Sequence, residues 1–98
     1  ASALEFEVSP RRLGAGADEL QLVWRLPWAR GRVTVELFDL EGRRAAVLLR
    51  DVASTASGER RVKLDTDREG LFVAQLRAQS DAGTLTRALL LRVSKGSS

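Results

Sequence analysis

Between Arg32 and Leu49 the chain spells out a hairpin. Val33, Val35 and Leu37 alternate with Thr34 and Glu36, the run Asp39-Leu40-Glu41-Gly42 interrupts them, and a second apolar segment, Arg44 to Leu49, begins. Alternation of period two sends successive side chains to opposite faces of a sheet, so both segments read as half-buried strands. Aspartate at the first and glycine at the last position of the interruption suit a type I turn whose final residue takes a positive φ.

The same grammar recurs along the chain and predicts about seven strands. Leu4 to Val8 sets Leu4, Phe6 and Val8 against Glu5 and Glu7, before a break at Ser9-Pro10 that extends through Leu13 to Asp18. Leu20 to Leu26 aligns Leu20, Leu22, Trp24 and Leu26, and Pro27, which cannot donate to a ladder, is expected to end that strand. Arg32 to Phe38 and Arg44 to Leu49 form the hairpin already described. Asp51 to Ser57 is small and polar and reads as a loop. Arg60 to Leu64 and Leu71 to Ala78 alternate again, the second with Phe72, Ala74, Leu76 and Ala78 on one face. Ser80-Asp81-Ala82-Gly83 repeats the turn logic, and Thr84 to Val93 is the last strand. Its inward face is left open, because Leu89, Leu91 and Val93 are apolar but so are Ala88 and Leu90. Helix is the weaker reading throughout; Gly42 to Asp51 could form one but is too short to stand alone.

Ninety-eight residues with 44% hydrophobic and 30% charged side chains make one globular domain. No apolar run nears the roughly 20 residues of a membrane helix, so no membrane insertion is expected. The chain opens at Ala1 and contains no Met, as expected of a processed or excised piece of a longer protein, and no signal peptide is apparent. Residues 94–98 read as a flexible tail. Without cysteine or histidine there is no disulfide framework, no thiolate chemistry and no usual transition-metal ligand. The net charge of +3 is carried mostly by arginine, and the pairs Arg11-Arg12, Arg43-Arg44 and Arg60-Arg61 mostly sit among acids. Mixed signs along the chain, with few aromatics interleaved, argue against a nucleic-acid partner.

Three features invite a chemical reading. Asp65-Thr66-Asp67-Arg68-Glu69-Gly70 imitates the start of a calcium loop, but the twelfth position is Leu76 where a bidentate glutamate belongs, and Arg68 opposes a cation. A solvated turn is the simpler reading. Trp24 is in phase with Leu22 and Leu26 and belongs to the core, whereas Trp28, in a connection after Pro27, is the candidate for stacking a sugar ring. Asp39 and Glu41 lie in a turn where aspartate caps backbone amides, and Ser54, Thr55 and Ser57 have no base beside them. The chain therefore reads as non-enzymatic, with no cofactor.

The order of segments resembles the C-terminal immunoglobulin-like domains of secreted bacterial proteins, a group related to the Ig-like domain of the flagellar hook-capping protein. Within it the closest likeness is to the type A sorting domains of the type IX secretion system. The resemblance spans Leu20 to Val93 and is carried by Leu22-Val23-Trp24-Arg25-Leu26-Pro27, then Val33 to Phe38 with Asp39-Leu40-Glu41-Gly42-Arg43, then Gly70-Leu71-Phe72-Val73-Ala74-Gln75-Leu76, and a closing strand from Thr86 to Val93. The usual Asn-Pro near the start is Ser9-Pro10 here, and Ser94 to Ser98 follow the closing strand.

The resemblance implies an all-β, immunoglobulin-like antiparallel β-sandwich of about seven strands, an extracellular or cell-surface location, and no catalysis. It implies a monomeric accessory domain hung from the N-terminal domains of its parent protein. Its partner would be the secretion machinery or a cell-surface component, bound through the last hairpin. On this expectation Thr86, Arg87, Leu89, Leu91 and Arg92 form the partner-binding set, recruiting a strand at their edge. A carbohydrate-binding module built around Trp28 and a passive spacer are the alternatives.

Overall fold

The computed structural model describes residues 3–9, 12–13, 19–64 and 69–94. Among them the chain is all-β: β1 (Glu5–Ser9), β2 (Arg12–Leu13), β3 (Glu19–Asp39), β4 (Arg44–Lys63), β5 (Gly70–Ser80) and β6 (Gly83–Val93). One curled sheet joins them in the order β1-β3-β5-β6-β2, with β4 on β3. Pairing is antiparallel except between β2 and β6.

β3 is the spine, and its two halves have different neighbours. The first half pairs β1, from Glu5↔Arg25 to Ser9↔Gln21, and the end of β4. The second half pairs β5, from Arg32↔Gln79 to Asp39↔Phe72, and the start of β4. Burial changes phase between the halves: Leu20, Leu22, Trp24 and Leu26 are buried first, then Val33, Val35 and Leu37. A strand of strict period two cannot move from even to odd positions without an irregularity. The irregularity lies where the β3–β4 register shifts between Arg25 and Arg30.

Pro27 sits in that gap, where no ladder bond is asked of it, so the strand does not end there as the sequence reading expects. At Gly31 an added Cβ would come 2.6 Å from the Gln79 carbonyl oxygen, so glycine there lets β3 and β5 close up after the corner. The second departure is in β4. Asp51 to Ser57 is strand rather than loop, held by Val33↔Val52, Arg32↔Ala53, Gly31↔Ser54 and Arg30↔Thr55. β3 and β4 thus each cover two of the expected segments, β2 was not anticipated, and the described residues form six strands rather than about seven.

The expected turn at the β3–β4 junction forms as read. The Gly42 amide donates to the Asp39 carbonyl at 3.1 Å, the Asp39 amide donates to the Arg43 carbonyl at 2.9 Å, and Gly42 has a φ of 86°. That is a type I turn closed by a left-handed residue, which only glycine adopts without strain. The Asp39 side chain, buried at the rim, accepts from the Glu41 and Arg43 amides at 2.9 Å each and from Arg43 Nε at 3.2 Å.

The core gathers Leu4, Phe6 and Val8 of the β1 segment with the inward rows of β3, Leu49, Leu64, the even positions Phe72 to Ala78 of β5, and Leu91 and Val93. The face left open in the last strand is thereby settled. Leu91 and Val93 point in, Leu89 is half-buried against them, and Leu90 points out.

Candidate functional site

The sheet leaves two long strands with one edge unpaired among the described residues, and they differ in character. β4 pairs β3 alone. Its ladder is broken by register shifts, it turns through a positive φ of 50° at Asp51, and it carries Arg44, Arg50, Asp51, Glu59, Arg60, Arg61 and Lys63. Bulges and charges are the devices that keep an open edge from recruiting another strand.

β6 has few of those devices. Its ladder with β5 runs unbroken from Ser80↔Gly83 to Gly70↔Val93. On its other side β2 pairs only Arg92 and Val93, so the backbone from Gly83 to Leu91 has no strand partner there among the described residues. Leu85 is 40% exposed and Leu90 54%. Register places Leu90 at the end of an outward cross-strand row, Phe38–Val73–Leu90, whose first two members are half-buried. One outward row of the hairpin is therefore apolar up to the open edge, beside the more polar pairs Gln75–Ala88 and Arg77–Thr86.

The structure brings the sequence-predicted partner set onto this one strand but divides it by face. Thr86, Arg87 and Arg92 are exposed. Leu89 is half-buried, and Leu91 is fully buried and belongs to the core, so it supports the strand and offers no contact surface. The residues that sequence reasoning missed are Leu85 and Leu90. Their signal was only their place on a closing strand whose phase could not be read.

Arg87 reaches past the strand it pairs with, across the curl of the sheet. Its Nε donates to the Leu4 carbonyl oxygen at 2.9 Å, bridging β6 to the start of β1. Between the two strands lies an open groove of about 500 Å³, with Glu5–Glu7 on one wall and Arg87–Leu90 on the other.

A larger cleft of about 610 Å³ lies near the corner of β3, between Arg30, Arg32, Ser54, Thr55, Gln79 and Asp81. Much of its polar lining is already engaged. Ser54 Oγ accepts from Trp24 Nε1 at 2.8 Å and donates to the Thr55 carbonyl, Thr55 Oγ1 donates to the Ser57 carbonyl, and Arg32 pairs with Asp51 at 2.7 Å. Trp28 does not line this cleft; it is half-buried and packs against the core. Of the calcium-like loop, Asp65 to Arg68 lie outside the described residues.

No family model, no curated protein and no solved structure matches the chain.

Proposed function

We propose that the chain is a non-catalytic accessory domain of a secreted or surface bacterial protein, an immunoglobulin-like β-sandwich that docks through its last hairpin. The docking mode is strand addition: a partner segment in extended conformation hydrogen-bonds along β6, with alternate apolar side chains meeting Leu85 and Leu89 on one side and Leu90 on the other. The resemblance of Leu20 to Val93 to type A sorting domains makes the type IX export machinery, or a cell-surface component, the partner of choice.

One observation carries the reading. Of the two long strands with an unpaired edge among the described residues, the bulged and heavily charged one is guarded, while β6 presents a regular edge from Gly83 to Leu91 whose one charge is Arg87. The sandwich geometry is supported by the phase change in β3, which gives each half of that strand its own neighbours on the β1 or the β5 side.

The test is an export assay in a bacterium with type IX machinery. The full chain is fused to the C-terminus of a periplasm-targeted fluorescent reporter, and compared with Leu85→Lys/Leu90→Lys, which charges the edge without touching the buried residues. Surface or medium signal for the first and periplasmic retention of the second is the expected result. Equal export of both, or retention of both with the domain folded, overturns the proposal for that machinery.

A further inference from the structure

We propose that the strand received by β6 carries a carboxylate on its core-facing side, opposite Arg87, and is otherwise apolar or neutral there; this rests on the docking reading above and adds the partner's chemistry. Cross-strand register places Arg87 at the end of the row Val35–Leu76–Arg87, and the first two members are fully buried. Arg87 is thus a charged residue at a core-facing position of an edge strand. Such a charge deters strands that cannot accommodate it, because pairing would bury it without a counter-ion.

In the unpaired domain the guanidinium's hydrogen bond goes to a carbonyl rather than to a carboxylate. Its Nε bonds the Leu4 oxygen, while the ion pairs among the described residues use Arg32, Arg43, Arg44 and Arg61. An arriving strand with an aspartate or glutamate opposite Arg87 turns the deterrent into a charge-assisted bond, with the remaining guanidinium N–H groups as donors. Because a one-residue slip sends that carboxylate to the other face, the same pair fixes register.

Two features narrow the occupant further. β6 itself contains no acid between Gly83 and Val93, so two copies pairing through this edge would bring arginines together without a counter-charge. A symmetric pair of copies joined β6 to β6 is therefore disfavoured. The opposite wall of the groove carries Glu5, which would repel a polyanionic segment. The match is a single acid in an apolar, extended stretch.

The experiment titrates the full chain with capped, fluorescein-labelled undecapeptides of alternating valine and threonine, one central valine replaced by Glu, Gln or Lys. Anisotropy reports affinity, and amide chemical shifts of Gly83 to Leu91 report where the peptide binds. The Glu peptide is expected to bind at least about tenfold more tightly than the Gln peptide, with the Lys peptide weakest. In Arg87→Glu the order is expected to reverse, and in Arg87→Gln to flatten; the second variant keeps the test open should the first misfold. Equal binding of all three peptides at β6 overturns the carboxylate match and leaves strand docking standing. No binding by any of them, with β6 shifts unmoved, overturns both.

Discussion

The indole of Trp24 lies against the backbone of Gly58, its partner in the β3–β4 register, so closely that a Cβ on Gly58 would come 2.6 Å from Cζ2 and 2.8 Å from Nε1. Trp24 is buried and its Nε1 donates to Ser54 Oγ, so the ring is held by both packing and a hydrogen bond. Glycine in a strand interior is otherwise a weakness, and here it makes room for the largest side chain in the core.

Gly58→Ala should therefore destabilise by about 1–3 kcal/mol, the range for overpacking a filled site. Urea unfolding read by tryptophan fluorescence measures it. The double variant Gly58→Ala/Trp24→Phe should recover part of the loss relative to the sum of the singles, because the smaller ring makes room for the methyl. Strict additivity would show that the contact is not the cause.

The Asp39 carboxylate organises the β3–β4 turn by accepting from two amides and from Arg43 Nε. Asparagine keeps one oxygen for amide donors but loses the charge and the second acceptor, and alanine loses every acceptor. The expected order of stability is wild type, Asp39→Asn, Asp39→Ala, with the alanine variant down by about 2–3 kcal/mol since hydrogen bonds to charged groups are the stronger ones. Thermal unfolding followed by circular dichroism ranks the three. If the asparagine and alanine variants fall together, the bonds to the charge, rather than those to Oδ1, dominate the turn.

Where apolar residues alternate between polar neighbours, the strands and their inward faces were legible from the residues alone. Phe6, Leu22, Val35 and Leu76 are buried as read, and the Asp39–Gly42 turn has the expected geometry. Asp51 to Ser57 was not legible because its small, mostly polar side chains show no apolar alternation, and Val52 and Thr55 are too few to mark a strand. Its conformation comes from β3, and from Arg32, whose Nε and Nη2 bond the Asp51 carboxylate and carbonyl at the kink. Pro27 misled for a related reason: a proline stops a ladder only where a ladder bond is needed. The open edge could not be read either, since strand order follows from pairings far apart in sequence, such as β3 with β5. Only Thr86, Arg87 and Arg92 of the expected partner set proved exposed, because the apolar run Leu89-Leu90-Leu91 hides the phase of the strand.

That phase yields the sharpest contrast between neighbours. Leu91 is fully enclosed opposite Phe72, whereas Leu90 stands 54% exposed at the end of the Phe38–Val73 row. Leu91→Ala should cost about 2–5 kcal/mol, since it removes buried methyl groups and leaves a cavity. Leu90→Ala should change stability by about 0.5 kcal/mol, the usual range for a surface site. Urea midpoints at constant slope give both values, and the constant slope guards against a change in the unfolded state. The same two variants separate folding from docking. Leu90→Ala should weaken binding of the valine-threonine peptides while the domain stays folded. Leu91→Ala, in conditions where it remains folded, should bind them like the wild type. If Leu90→Ala proves the more destabilising of the two, the strand is in the opposite phase and its outward apolar row does not exist.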